Sequence, residues 1–217
     1  MLKDKDIREK LFDFLEEEFG KIRIFEEKNM GRSRADAVMV TENLVVGIEI
    51  KSDADTYARL DRQIKDYDKF FDCNYAVVGT SHAAHIKEHV PEWWGIITVE
   101  EVDGKADFYM LRRHDHNPFM DWKMKISILW RPELAHIQEI NGMAEYKNRS
   151  KAFVADKILQ KVPESLLCAQ MCNELFERDY SLIGEQIDSY RKEHNRRRKR
   201  TGRRAVVKAV RKIRSKS

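Results

Sequence analysis

Apolar residues recur at helical spacing in DKDIREKLFDFLEEEF (residues 4–19), where Ile7, Leu11, Phe14 and Leu15 share one face and Gly20 supplies a stop. Ile22–Glu26 alternates as a short strand. After the polar stretch NMGRSR, the runs Ala35–Thr41 and Leu44–Lys51 are rich in β-formers and separated only by Glu42-Asn43, the spacing of a hairpin. Residues 55–71 return to a helical period, with Leu60, Ile64, Tyr67 and Phe71 on one face. Asn74–Gly79 is apolar almost throughout, as suits a strand covered on both faces. A short helix over His82–His89, a strand over Gly95–Glu100 and an edge strand over Lys105–Arg112 complete the series. This order predicts an α/β fold with a mixed β-sheet core flanked by helices. From about Asn117 only helical periods remain. Residues 1–116 therefore read as the α/β core and 117–190 as an α-helical C-terminal appendage.

Composition adds size and setting. A chain of 217 residues, 42% of them hydrophobic, is long enough for one sizeable domain and a smaller addition. It has no apolar run long enough to span a membrane, and its first ten residues lack an apolar leader. The cysteines, Cys73, Cys168 and Cys172, form no disulfide framework, so a reduced, cytoplasmic chain is expected. Cys168 and Cys172 share a helix face and read as core filling. His82, His85 and His89 read as exposed residues of one helix face, His114 and His116 as loop residues, and Trp93-Trp94 as core aromatics at the sheet edge.

Charge changes the picture more. The net charge is +4, yet residues 191–217 carry 14 basic residues and one acid, which leaves positions 1–190 acidic at −9. A polycationic tail on an acidic body points to an anionic partner, with nucleic acid the leading candidate. In the tail, Arg197, Arg198, Lys199, Arg200, Arg203 and Arg204 are candidate phosphate contacts, without aromatics for base stacking. The alternative is a solubilising extension.

The chemistry concentrates in DAVMVTENLVVGIEIKSD (residues 36–53). On a strand, residues two apart point to one face, so Glu49 and Lys51 project together while Ile48 and Ile50 face the other way. The hairpin brings Asp36 within reach of the same face. Two carboxylates near a backbone carbonyl suit Mg²⁺, with Mn²⁺ able to substitute, and an adjacent lysine suits charge developing on a phosphate. Gln63 and Tyr67, four residues apart on the next helix, can reach one site together. The plain alternative makes Glu49 and Lys51 solvent-facing strand residues and Tyr67 half-buried core. Arg32 and Arg34 are either phosphate contacts or solvated loop charges.

The series Asp36, Glu49-Ile50-Lys51 and Gln63/Tyr67 resembles the PD-(D/E)XK nuclease superfamily, and its QxxxY element is similar to that of RecB-type nucleases. The stretch from about residue 7 to 80 resembles small stand-alone bacterial and phage PD-(D/E)XK proteins. The resemblance implies a restriction-endonuclease-like core and a Mg²⁺-dependent nuclease acting on DNA more readily than on RNA. It implies that Asp36, Glu49 and the Ile50 carbonyl hold the metal, with Glu26 the chosen further ligand. Lys51 would be the catalytic lysine, and Gln63 and Tyr67 would line the site. Ala35 stands where many members carry proline. The expected alternative is a nucleic-acid-binding phage accessory or anti-defence protein on the same fold.

Overall fold

In the computed structural model, which describes residues 4–179, Val45–Lys51 is buried along its whole length although it contains Glu49 and Lys51. This strand, β3, is third of six in a sheet whose spatial order follows the chain. The others are β1 (Arg23–Met30), β2 (Ser33–Val40), β4 (Cys73–Gly79), β5 (Gly95–Val102) and β6 (Lys105–Arg112). β1, β2 and β3 pair antiparallel, β3, β4 and β5 parallel, and β6 returns antiparallel along β5. The sheet is therefore mixed. Parallel strands need crossovers. Those here are α2 (Leu60–Phe70), preceded by a 3₁₀ turn at Tyr57–Arg59, and then α3 (Thr80–Ala83) with α4 (Ile86–His89).

Each face of the sheet is covered. α1 (Asp4–Phe19) buries Ile7, Leu11 and Leu15 against Ala37, Met39, Val46, Ile48, Ile50, Val77 and Ile97. Fully burying one such aliphatic side chain contributes about 1.5–3 kcal/mol, so three of them hold α1 firmly. The opposite face carries α2 together with α5 (Trp122–Ile126), α6 (Arg131–Ile140), α7 (Lys151–Lys161) and α8 (Glu164–Glu177). Residues from these helices, such as Leu134, Val154 and Leu167, share one core with Val38, Val45 and Val78 of the sheet. The described residues up to Phe176 form one compact unit. The basic tail, including Arg197, Arg198, Lys199, Arg200, Arg203 and Arg204, lies outside the described residues.

Two local expectations change. β1 runs to Met30 rather than stopping at Glu26, and the turn shrinks to Gly31-Arg32, where Gly31 takes a φ of +55°. The extension is polar because β1 is an edge strand, so alternation fades there. The His82–His89 helix is split in two, and His82 is half-buried under the Tyr57 ring at 4.8 Å. Trp94 is fully buried, as a core aromatic should be, and its indole N–H donates to Asp68.

Candidate active site

Period-two alternation on β3 directs Gly47, Glu49 and Lys51 toward α2, and Val46, Ile48 and Ile50 toward α1. Gly47 permits the approach of α2. A Cβ at this position would overlap the Phe71, Tyr67 and Asn74 side chains. With that space open, Tyr67 passes over β3 and reaches Glu49.

The Tyr67 hydroxyl lies 2.7 Å from Glu49 Oε2 and 2.9 Å from the Ile48 carbonyl, and it accepts from the Asp36 N–H at 3.3 Å. Burial, followed by the charges of Glu49 and Asp36, holds its pKa well above the ordinary phenol value, so it stays a neutral donor. The other Glu49 oxygen, Oε1, accepts from Lys51 Nζ and from Gln63 Nε2, each at 2.5 Å. Lys51 Nζ also donates to Gln63 Oε1 at 3.3 Å. Glu49 is 1% exposed and Lys51 8%. A buried charge on this scale persists only when paired and hydrogen-bonded, as both are.

Asp36 completes the group from β2. The β2–β3 ladder ends at Ala37 opposite Ile48, and beyond it the Asp36 carboxylate accepts the Ile50 N–H at 2.9 Å. Burial first, and then the Glu49 charge, raise Asp36 to about 6, against the lowering effects of the Ile50 N–H, Arg8 and Lys51. A carboxylate whose proton affinity is raised by a second carboxylate beside it is one that a divalent cation would relieve. Mg²⁺ is commonly held by one or two carboxylates plus water, so this donor set fits it. Among the described residues no group of three or more His, Cys, Asp and Glu side chains is arranged to hold a metal ion.

Glu26 does not join them. It pairs in register with Ala37, on the α1 face, and not with Asp36. Its side chain, 57% exposed, lies 3.6 Å from Arg8. Arg8, from α1, contacts Asp36 as well: its guanidinium donates to the Asp36 carbonyl at 3.3 Å and lies 3.6 Å from Oδ1.

The cluster forms the floor of an open cleft of ≈ 800 Å³. Arg8, Arg32, Arg34, Lys51, Arg59 and Arg62 line it, against the acids Asp36, Glu49 and Asp55. Arg32 and Arg34 both line the cleft, and Arg34 also pairs with Glu27 at 3.1 Å across solvent. The surplus of cations in a concave site concentrates anions there. Arg8, Arg59 and Arg62 are additions to the sequence reading. Arg59 sits four residues before Gln63, a spacing that places both on one side of the helix and could have revealed it. Arg8 has no such signal, since only the packing of α1 brings it to Asp36.

No helix of the described residues is long and apolar enough to cross a membrane. No curated protein and no solved structure matches the chain. A family model described as bacteriophage P4 protein cII does match, over residues 1–201, and this span takes in the whole sheet, its helices and every residue of the cleft. The chain belongs to the family of bacteriophage P4 protein cII.

Proposed function

We propose that the cleft is the site of a metal-dependent nuclease that hydrolyses phosphodiester bonds, in DNA more readily than in RNA. One observation carries this reading: Glu49, Lys51, Gln63 and Tyr67 form a single hydrogen-bonded cluster beside Asp36, on the floor of a cation-lined cleft. Asp36, Glu49 and the Ile50 carbonyl would hold Mg²⁺ or Mn²⁺. Such an ion, when bound, supplies Lewis-acid activation of water and neutralises charge on the phosphate.

The chain's own residues account for the rest. Arg32, Arg34, Arg59 and Arg62 bind phosphates on the floor and rim of the cleft and set the register of the strand. Lys51 places an ammonium beside the acid pair, where it stabilises charge developing on the scissile phosphate. Gln63 bridges Lys51 and Glu49 and holds both in position. Tyr67 fixes the second oxygen of Glu49 and excludes water from behind it.

The second reading is binding without cleavage, as in a phage accessory protein, which the family's phage name suits. It is favoured by the occupancy of Glu49, whose two oxygens are both already engaged by protein donors. Cleavage of end-labelled DNA and RNA with Mg²⁺, Mn²⁺ or EDTA decides between the two. The nuclease reading expects metal-dependent cleavage that Lys51→Ala and Asp36→Ala abolish with the fold intact. Salt-sensitive binding with no cleavage of any substrate supports the second reading.

A further inference from the structure

Outside the cleft, the most unusual chemistry surrounds Lys125 on α5, whose side chain is fully buried. Its Nζ donates to Asp72 Oδ1 at 2.6 Å and to Cys168 Sγ at 3.1 Å, and it lies over the Trp122 ring at 4.6 Å. Asp72 in turn accepts the Val45 N–H at 2.8 Å, which ties α5 to the start of β3. A buried ammonium beside a sulfur favours the thiolate, because the thiolate gains a charge-assisted bond that the thiol lacks.

The residue that carries this sulfur is not fully buried. Cys168 is half-buried on α8, and its Sγ lies 3.0 Å from the carbonyl of Asn43, in the exposed turn between β2 and β3. The protonated thiol donates to that carbonyl; the thiolate gives up this bond and keeps those from Lys125 and Cys172. A hydrogen bond from Cys172 and the Lys125 charge lower Cys168 to about 6, against burial and the Asp72 charge. Cys172, fully buried, is pushed up by the same pairing and by burial, and stays protonated. Cys73 belongs to the α1 face and is pushed up by burial and Asp72. One of three cysteines is therefore set apart by its surroundings.

We propose that Cys168 is a modification site, a cation-activated thiol that forms mixed disulfides with small disulfide compounds. The Cys168 thiolate attacks one sulfur of R–S–S–R, the Cys168–S–S–R bond forms, and R–S⁻ leaves. Cys168 is oxidised and the departing half is reduced, so no further oxidant is needed. The proposal is independent of the nuclease reading, since none of these residues lines the cleft.

The probe is dithiobis-nitrobenzoate, applied to the full chain from pH 5 to 9, with the labelled cysteine located by mass spectrometry. The expected result is one fast equivalent on Cys168, rising through about pH 6 and level above pH 7.5, and absent in Cys168→Ser. Removing Lys125 alone strands a buried Asp72, so the double variant Lys125→Met with Asp72→Asn removes both charges together. It should shift the midpoint of the rate profile upward, because the charge and hydrogen bond of Lys125 outweigh the Asp72 charge removed with them. Lys125→Arg, which keeps the cation, should retain a low midpoint. The proposal is overturned if Cys168 labels no faster than Cys73 and Cys172. An unchanged midpoint in the double variant overturns it as well.

Discussion

The Tyr67 hydroxyl stands 2.7 Å from Glu49 Oε2, so a phenol on α2 fixes the acid of β3 from behind while Lys51 and Gln63 hold its other oxygen. Tyr67→Phe removes this donor and leaves a buried carboxylate oxygen without it. An unsatisfied group of this kind costs about 1–3 kcal/mol. Urea unfolding should report a loss in that range, and any metal-dependent cleavage should fall without a change in nucleic-acid affinity.

Gly47 is what allows that contact. Gly47→Ala forces α2 away from β3, because the new methyl meets Tyr67, Phe71 and Asn74. Overpacking of a tight core costs about 1–3 kcal/mol. Thermal melts should show this loss, whereas Gly20→Ala, with open space around the Cβ, tests only the strain of its φ of +73°.

Arg59 and Arg62 line the cleft and were absent from the sequence reading. If they contact phosphates, alanine at either position weakens binding to nucleic acids of all sequences alike. Each substitution should also reduce the slope of log affinity against log salt by about 1. Filter binding across a potassium chloride series measures both quantities.

Asp36 sets a pH dependence whose sign is fixed. In the folded chain it holds its proton up to about pH 6, and in the unfolded chain only to the ordinary aspartate value of 3.8. Between these values the native state binds more protons, so this residue's contribution makes stability fall as pH rises through the window. Asp36→Asn removes the cost. In EDTA it should be more stable than the parent at pH 8, by up to about 3 kcal/mol, with the advantage gone by pH 4.

Much of the site was legible because it depends on backbone periods alone. Glu49 and Lys51 share a face by the two-residue repeat, and Gln63 and Tyr67 by the helical turn, so their convergence needed only the hairpin between β2 and β3. The place of Glu26 is decided by register, and not by proximity in sequence. Its partner is Ala37, and its exposed carboxylate meets Arg8, whose guanidinium also lies beside Asp36. The helices after Asn117 were legible as helices, but not their sharing of the core that covers α2. Arg8 and the Lys125–Cys168 contact were beyond reach for the same reason. Both arise where separate elements pack together, and no local pattern in either segment marks the meeting.

The central claim, that Asp36 and Glu49 hold a catalytic divalent ion, is tested most directly by soaking crystals in Mn²⁺ and collecting anomalous diffraction. The account expects a peak at coordination distance from oxygens of both carboxylates, with Glu49 released from Lys51 or Gln63, and no peak in Asp36→Ala. A map without density between the two acids, with Glu49 still bonded to Lys51, Gln63 and Tyr67, would contradict it.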